Sequence, residues 1–331
     1  MRTARKPRTG YPDSAPLTRA RQLVYQAPSW KDTQMAMPDQ SGGVRTVAVI
    51  GTGIMGSAMA KNLLAAGFRT IVWDRSPAAT QPLAQAGAAA AGSPGAAVRD
   101  ADVVITMLAT ADAVNSVIFG QGAIDGFAAN SIWAQMATIG VDQTLEVAGR
   151  VAALRPDVMF VDAPVSGTKG PAERGELEIL ASGPDQAAVA LGPVFSAIGR
   201  KTVWLGEAGR GSRMKMVTNA YLAILIEAVA EAAELADRLG VSHGQFAEVI
   251  SGGPLAAPTA LAKLRKIDEH DFAPEFPLEW ALKDVDLAIE AAHGDRLPLL
   301  TALSSQWHAA VREGHGREDV SAARLALGDQ S

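Results

Sequence analysis

The chain has 331 residues, 48% hydrophobic and 20% charged, a composition typical of a globular protein with about two domains. It contains no cysteine, which excludes disulfides, thiolate zinc sites, iron–sulfur clusters and a cysteine nucleophile; no metal site is expected. The formal net charge of −5 argues against a nucleic-acid partner.

Residues 1–43 differ from the rest of the chain. The first 36 residues carry seven Lys and Arg side chains against two aspartates and show no apolar period. A secretory signal needs an apolar stretch, and none is present here. We therefore expect a disordered tail or a start codon assigned too early, with Met35 or Met37 as the true start. An Arg-rich transit peptide is the remaining alternative.

No segment is predicted to span a membrane. The most apolar long stretch, from Tyr221 to Ala236, carries Glu227, Glu231 and Glu234. Charges at this density favour a buried helix of a soluble domain, and we expect a cytoplasmic protein without a membrane partner.

A strand–turn–helix–strand pattern opens the folded part. The β-branched run Val44–Ile50 predicts a buried parallel strand, Ser57–Ala66 has helical spacing, and Thr70–Trp73 predicts a second strand. The turn Gly51–Gly56 (GTGIMG) joins the first strand to the helix, and Asp74 ends the second strand. This is the first βαβ unit of a Rossmann fold.

Each glycine of that turn has a physical role in dinucleotide binding. Gly51 makes the tight turn, Gly53 lets the backbone approach a pyrophosphate, and Gly56 lets the helix pack close to the strand. The helix N-terminus offers free N–H groups to the phosphates. Asp74 lies 23 residues after Gly51, where an acid contacts the ribose of NAD. Together these features predict a nicotinamide-cofactor site.

The strand alternation continues to about residue 205. Strands are expected at Asp102–Leu108, Ser131–Met136, Val158–Val161, Glu178–Ala181 and Thr202–Leu205, with the last two closing the same sheet. Ligands of such sheets bind beyond the carboxyl ends of the strands. The loops at Thr110, Thr138 and Ser166 are therefore the candidate lining of the site.

Helical periodicity replaces the strand pattern from Gly206 onward. Ser212–Leu239 is expected to form one helix of about 28 residues, longer than most. We predict a Rossmann domain over residues 44–205 followed by an all-α C-terminal domain over residues 206–331, joined by this long helix. The fold class is therefore α/β followed by all-α.

Lys215 is the candidate proton-transfer group. The first histidine is His243, so no histidine follows a Rossmann strand. Lys215 and Asn219 begin a helical face that is otherwise apolar through Ile226. A lysine buried on that face would have the lowered pKa that acid/base catalysis needs. The alternative from spacing alone is a lysine whose amine reaches solvent.

Four motifs in this order resemble the β-hydroxyacid dehydrogenase family, which includes 3-hydroxyisobutyrate dehydrogenases and glyoxylate and succinic semialdehyde reductases. They are GTGIMG at Gly51–Gly56, DAPVSGTKG at Asp162–Gly170, GRGSRMKMVTN at Gly209–Asn219, and the pair Lys283-Asp284. The resemblance extends from about Val44 to about Leu327.

The resemblance implies a role for each matching position. Lys215 would be the catalytic acid/base and Asn219 would hold substrate and lysine, while Ser166, Gly167 and Thr168 would bind a substrate carboxylate through backbone N–H groups. It also implies a homodimer or homotetramer assembled through the helical domain. The positions assigned to the cofactor are Gly51, Gly53, Ile54, Met55, Gly56, Asp74, Arg75, Ser76, Leu108, Thr138 and Lys283.

Two departures bear on the branch and on the cofactor. Thr168 followed by Lys169 is similar to the glyoxylate and semialdehyde reductase branch, since the hydroxyisobutyrate branch has Ser-Gly-Gly. The glyoxylate and semialdehyde reductase branch usually has asparagine at the position of Asp74. Asp74 suits the ribose hydroxyls of NAD, whereas Arg75 and Ser76 suit the 2′-phosphate of NADP. The choice stays open, with Asp74 favouring NAD.

The resulting hypothesis is an NAD(P)-dependent oxidoreductase that interconverts a small hydroxyacid and its oxo or semialdehyde form by hydride transfer. Phe276 and Trp280 are expected to shape its pocket. One alternative is an imine reductase of the same fold, although such enzymes generally lack the lysine. The other is a non-enzymatic cofactor-binding scaffold, which the presence of both Lys215 and Asn219 disfavours.

Overall fold

The computed structural model describes residues 43–293 and 296–327, together with the backbone of a two-residue strand, β1 (Val24–Tyr25). The expected N-terminal tail lies outside the described residues, apart from β1 and Gly43.

The main sheet is parallel and six-stranded. Its order is β4-β3-β2-β5-β6-β7, so the chain moves outward in one direction and then in the other from β2. This reversal creates the crevice in which such sheets bind ligands. The strands are β2 (Thr46–Ile50), β3 (Arg69–Trp73), β4 (Ala89–Ala90), β5 (Val103–Thr106), β6 (Ile132–Gln135) and β7 (Met159–Asp162).

Helices cover both faces of this sheet and then build the C-terminal part. A π-helical turn at Ser116–Gly120 and 3-10 helices at Ala123–Gly126, His315–Arg317 and Val320–Leu327 complete the pattern. The α-helices are α1 (Ile54–Ala65), α2 (Pro77–Gln85), α3 (Pro94–Val98), α4 (Ala111–Asn115), α5 (Val141–Leu154), α6 (Lys169–Glu173), α7 (Asp185–Ile198), α8 (Arg210–Leu239), α9 (His243–Ile250), α10 (Pro258–Asp268), α11 (Leu278–Ala291) and α12 (Pro298–Arg312).

β2 illustrates why the first predicted strand is continuously apolar. Val47 and Val49 pack on the side of α1 and α7, while Ala48 and Ile50 pack on the side of α3 and α5. Because neither face meets water, every residue of β2 is buried and an alternating pattern is not needed. The prediction of a buried parallel strand here is confirmed.

The prediction that Glu178–Ala181 and Thr202–Leu205 close the main sheet was wrong. They form β9 (Leu177–Ala181) and β10 (Gly199–Trp204), which belong to a second sheet of order β1-β10-β9-β8, where β8 is Val165–Ser166. After β7 the chain reverses, so β8 pairs antiparallel with β9, and an isolated bridge between Asp162 and Ser182 links the two sheets. Local alternation identifies strands but not their partners.

The C-terminal part is helical and packs around α8. The inner side of α8 contributes Met216, Ala223 and Ile226 to a core that also contains Leu278 and Trp307. The predicted long helix is confirmed: it has 30 residues and a length of about 45 Å.

By length and composition alone, α8 is the one helix of the described residues that could cross a membrane. It nevertheless packs against helices α10, α11 and α12 and against strands β7 and β9 of both sheets. A core helix of a globular protein passes the same test of length and composition.

Candidate active site

The glycine turn has the shape of a phosphate cradle. Gly51 has φ +94°, and a Cβ there would lie 2.6 Å from the Met107 carbonyl oxygen and 2.9 Å from Leu108. A Cβ at Gly56 would overlap the Gly51 carbonyl oxygen. Both positions therefore require glycine for packing within the protein.

Gly53 is different, because no protein atom lies within 4 Å of the position of its Cβ. It is the N-cap of α1, with no side chain capping the helix and no acidic residue in the first turn. The first N–H groups of α1 thus face open space without a competing carboxylate. An exposed helix terminus of this kind fits the pyrophosphate of a dinucleotide.

Asp74 links the end of β3 to the glycine turn. Its Oδ2 accepts hydrogen bonds from the Thr52 backbone N–H (2.8 Å) and the Thr52 hydroxyl (3.3 Å), and its Oδ1 accepts from the Ser76 N–H (2.9 Å). Arg75 and Ser76 are exposed beside it. The three residues predicted to recognise the ribose therefore lie together at the edge of the cradle.

Lys215 occupies the second turn of α8 and is only 8% exposed. Among the described residues, no carboxylate lies within ion-pair distance of its ammonium group. Burial lowers the pKa of Lys215 to about 8; the charge of Asp284 opposes this shift and that of Lys283 adds to it. Lys215 is therefore a largely buried lysine, and burial brings its pKa toward the physiological range.

Asn219 lies one helical turn after Lys215 on the same buried face. Its Nδ2 donates a 2.6 Å hydrogen bond to Oδ2 of the buried Asp284 on α11. Asp284 stands in the sequence only as the second residue of the Lys283-Asp284 motif, with no role predicted for it. Its position among the buried residues Ala281, Val285 and Ala288, at helical spacing, is the signal that could have identified it as a site residue.

Lys283 joins α11 to two loops of the Rossmann domain. Its Nζ donates hydrogen bonds to the carbonyl oxygens of Thr138 (2.6 Å) and Ala109 (3.2 Å). The same Nζ lies 3.0 Å from Asp284 Oδ1, as an ion pair without hydrogen-bond geometry. The structure therefore brings Lys283, Thr138, Asp284 and Asn219 into one connected group, with Lys215 within electrostatic range.

Asp162 holds the start of α8, a role that its place at the head of the DAPVSGTKG motif did not predict. This fully buried carboxylate ends β7 and accepts hydrogen bonds from the Gly209 N–H (3.1 Å), the Ser212 N–H (2.8 Å), the Ser212 hydroxyl (2.7 Å) and the Ser182 hydroxyl (3.1 Å). Burial raises the pKa of Asp162, and these hydrogen bonds oppose the rise. Asp162 thereby positions the turn that carries Lys215.

The predicted anion-binding loop follows β7 through β8. Gly167 is exposed with φ +132°, while Ser166 and Thr168 are half-buried. A Cβ at Gly167 would lie 2.8 Å from Leu177. No hydrogen bond or ion pair between described residues joins this loop directly to Lys215, so their common role at a substrate stays a prediction.

A small cavity of about 10 Å³ lies beside the Asn219–Asp284 pair. Phe276 lines it, whereas Trp280 is exposed and does not, and the expected role of both in shaping a substrate pocket stays a prediction. The other lining residues are Leu222, Ala223, Ile226, Ala281 and Trp307.

The fold and the cradle at Gly51–Gly56 define the protein as a dinucleotide-binding protein of the Rossmann class. Two family models agree with this class. The one described as the NAD binding domain of 6-phosphogluconate dehydrogenase matches residues 46–206. The one described as the NAD-binding part of NADP-dependent 3-hydroxyisobutyrate dehydrogenase matches residues 209–326.

Known proteins resemble the chain over most of its length. Glyoxylate/succinic semialdehyde reductase 1 of Arabidopsis thaliana is 31% identical over 85% of this chain and 98% of its own length. The 3-sulfolactaldehyde reductase of Escherichia coli (strain K12) is 33% identical over 83% of this chain and 93% of its own. The structure of Mycobacterium tuberculosis 3-hydroxyisobutyrate dehydrogenase with L-serine has a TM-score of 0.78 and 29% identity, covering 86% of this chain and all of the other.

The chain therefore belongs to the β-hydroxyacid dehydrogenase family, as its four motifs predict. It is an NAD(P)-dependent enzyme that interconverts a small hydroxyacid and its oxo or semialdehyde form, acting on the CH–OH group.

Proposed function

We propose that Lys215 is the proton donor and acceptor in the reduction of a small aldehyde acid. The nicotinamide cofactor, when bound, supplies the hydride for reduction. Lys215 in its ammonium form donates a proton to the carbonyl oxygen, which becomes the hydroxyl, and solvent then reprotonates the amine. In the oxidation direction the neutral amine accepts the hydroxyl proton. The burial of Lys215, with its pKa lowered to about 8, is the observation that carries this proposal.

Neighbouring residues hold the reacting groups. Asn219 is fixed by Asp284 on the same face as Lys215, where its amide can hold the substrate hydroxyl or carbonyl. Ser166, Gly167 and Thr168 bind the anionic group of the substrate through backbone N–H groups, and Gly167 is exposed to solvent in this loop. Fixing both ends of a short substrate orients its carbonyl for the proton transfer.

The substrate class is a short aldehyde with an anionic group. Relatives named for glyoxylate, succinic semialdehyde and 3-sulfolactaldehyde support either a carboxylate or a sulfonate at that position. Thr168 and Lys169 favour the glyoxylate and semialdehyde branch, so we propose a carboxylate.

For the cofactor we propose NAD(H). A 2′-phosphate at the ribose would face the negative charge of Asp74, whose carboxylate is held in place by Thr52 and Ser76. The measurement is the ratio of kcat/KM for NADH to that for NADPH, which is expected to exceed one in the natural protein. A ratio below one would mean that the enzyme prefers NADPH and that Arg75 binds the 2′-phosphate.

The function is tested by following nicotinamide absorbance with NADH or NADPH and a panel of carbonyl compounds. The panel contains glyoxylate, succinic semialdehyde, methylmalonate semialdehyde and 3-sulfolactaldehyde, with a cyclic imine as a counter-test. Lys215→Ala is expected to lower kcat by about 10² to 10⁴-fold, while Lys201→Ala, at an exposed lysine of β10, keeps full activity. Full turnover by the Lys215 variant, or turnover of the imine alone, would refute the proposal.

We also propose a homodimer that buries the outer face of α8, defined as Met214, Val217, Tyr221, Leu235 and Leu239. Val217 is 66% and Tyr221 64% exposed, an unusual exposure for such side chains on one helix face. Replacing both by glutamate is expected to give monomers in light scattering. Val189→Glu, at a still more exposed position on α7, serves as the control. A monomeric natural protein would contradict the proposal.

The cytoplasmic location expected from the sequence stays a prediction.

A further inference from the structure

Two hydrogen bonds connect the cofactor helix α1 to the predicted anion-binding loop. The side-chain Nδ2 of Asn62, in the last turn of α1, donates to the Ala172 carbonyl oxygen on α6 at 2.8 Å. The Ala172 N–H in turn donates to the carbonyl oxygen of Thr168, the last loop residue, at 3.0 Å. Among the described residues, Asn62 provides the one side-chain hydrogen bond between α1 and α6.

The surroundings of Asn62 leave little freedom for this contact. Ala172 is fully buried. Gly175, which follows α6 with φ +66°, would place a Cβ 2.9 Å from the Ala197 carbonyl oxygen of α7 and 3.6 Å from Asn62 Nδ2. The Ala172 carbonyl also accepts from the Gly175 N–H at 3.2 Å. Asn62 therefore caps the C-terminal end of α6 where the chain turns between α1 and α7.

We propose that Asn62 is a positioning residue that sets the anion-binding loop relative to the cofactor helix. α1 begins at the glycine cradle and reaches Asn62 nine residues after its N-cap, about 13 Å away. Through Asn62, one rigid helix carries both the cradle and the support of the loop from Ser166 to Thr168. The distance between the hydride position and the bound anion is thereby determined within the Rossmann domain, independently of α8.

The inference rests on the proposed role of the loop, and it predicts a selective defect. Loosening the loop weakens the hold on the anionic group but leaves the cradle and Lys215 unchanged. Asn62→Asp keeps the side-chain shape and replaces the donor by an acceptor that faces the Ala172 carbonyl. The KM of an aldehyde acid should rise about threefold to tenfold, the loss expected for one hydrogen bond. The corresponding neutral aldehyde should be affected less than twofold.

The experiment compares kcat/KM for an aldehyde acid and for the aldehyde that has a methyl group in place of the carboxylate, such as glyoxylate and acetaldehyde. The dissociation constant of NADH, followed by its fluorescence, should change less than about twofold. Asn62→Gln retains an amide donor and should keep most of the preference for the acid. Since it introduces no charge beside the Ala172 carbonyl, it also provides an uncharged variant for the comparison.

Gln306→Glu is the matched control. Gln306 Nε2 donates to the Ala323 carbonyl oxygen at 2.8 Å in the helical domain, so the same amide-to-carboxylate change removes an equivalent hydrogen bond away from the site. The inference would be overturned if kcat/KM in Asn62→Asp fell equally for the acid and the neutral aldehyde, or if the ratio of the two values stayed unchanged. The same selective loss of kcat/KM for the acid in Gln306→Glu would also overturn it. A natural protein that does not prefer the acid would instead refute the proposed loop function, before any variant is compared.

Discussion

The chemistry at the scale of a residue depends on how strongly the interior disfavours a charge. Lys215 and Glu227 lie on the buried side of the same helix, twelve positions apart. Burial lowers the pKa of the lysine to about 8 and raises that of the glutamate to about 7. Both side chains therefore titrate close to physiological pH, and each has its own measurable consequence.

The pH dependence of catalysis follows from Lys215. Reduction needs the ammonium form, so kcat/KM for an aldehyde acid should fall as the pH rises through about 8. Oxidation of the corresponding hydroxyacid needs the neutral amine, so its kcat/KM should rise through the same pH. Steady-state rates in both directions, measured from pH 6 to about 10, test this. Profiles that move in the same direction would remove Lys215 from proton transfer.

The pH dependence of stability follows from Glu227. Its Oε2 accepts a 2.6 Å hydrogen bond from Trp307 Nε1, but burial and the nearby charge of Glu231 raise its pKa from 4.5 to about 7. The folded state binds this proton more tightly than the unfolded state, so stability decreases as the pH rises from about 4.5 to 7. This shift of the Glu227 pKa corresponds to a loss of unfolding free energy on the order of 3 kcal/mol.

Glu227→Gln keeps an acceptor for Trp307 and removes the charge. Denaturant unfolding should show the variant about 1–3 kcal/mol more stable than the natural protein at pH 8 and nearly equal at pH 5. Glu231→Gln, at an exposed position of the same helix, should change stability far less. A loss of stability in Glu227→Gln that is the same at both pH values would show that the carboxylate is needed for packing instead.

At the scale of elements, the start of α8 depends on a buried acid from another part of the chain. Asp162 accepts four hydrogen bonds, two of them from Ser212, which also lies 3.0 Å from the Thr144 hydroxyl. Ser212→Ala should cost about 1 kcal/mol of unfolding free energy and Asp162→Asn about 2–4 kcal/mol, since the latter turns an amide N–H toward backbone donors. Ser251→Ala, at an exposed serine, is the control. Equal losses of unfolding free energy in all three variants would contradict the role of Asp162 in holding the start of α8.

The elements show why some features could be predicted from the sequence and others could not. β2, α1 and β3 were predicted because their signals are local: an apolar run, then glycines whose positions permit only a tight turn. The second sheet was assigned wrongly because pairing partners are chosen by the whole fold. The role of Asp162 was not predicted because its donors at Gly209 and Ser212 come from about 50 positions further along the chain.

At the scale of the whole molecule, Lys283 connects the helical domain to two loops of the Rossmann domain. Its contacts to Thr138 and Ala109 hold loops that follow β6 and β5, while Asp284 and the rest of α11 belong to the helical core. Gly140 and Leu287 pack beside it, with 3.0 Å between the leucine and the position of a Cβ at the glycine. Removing the Lys283 charge should therefore act on the Rossmann loops and on the Asp284 group together.

Lys283→Met keeps the length of the side chain and removes its charge. Loss of the loop contacts should weaken NADH binding about tenfold, the effect expected for charge-assisted hydrogen bonds. Because the charge of Lys283 lowers the pKa of Lys215, its removal should also shift the pH midpoint of reduction upward. Fluorescence titration measures the first effect and the pH profile of kcat/KM the second. A weaker cofactor affinity with an unchanged midpoint would mean that Lys283 serves the cofactor alone, whereas a shift in both would establish it as the charge that links cofactor binding to the proton-transfer lysine.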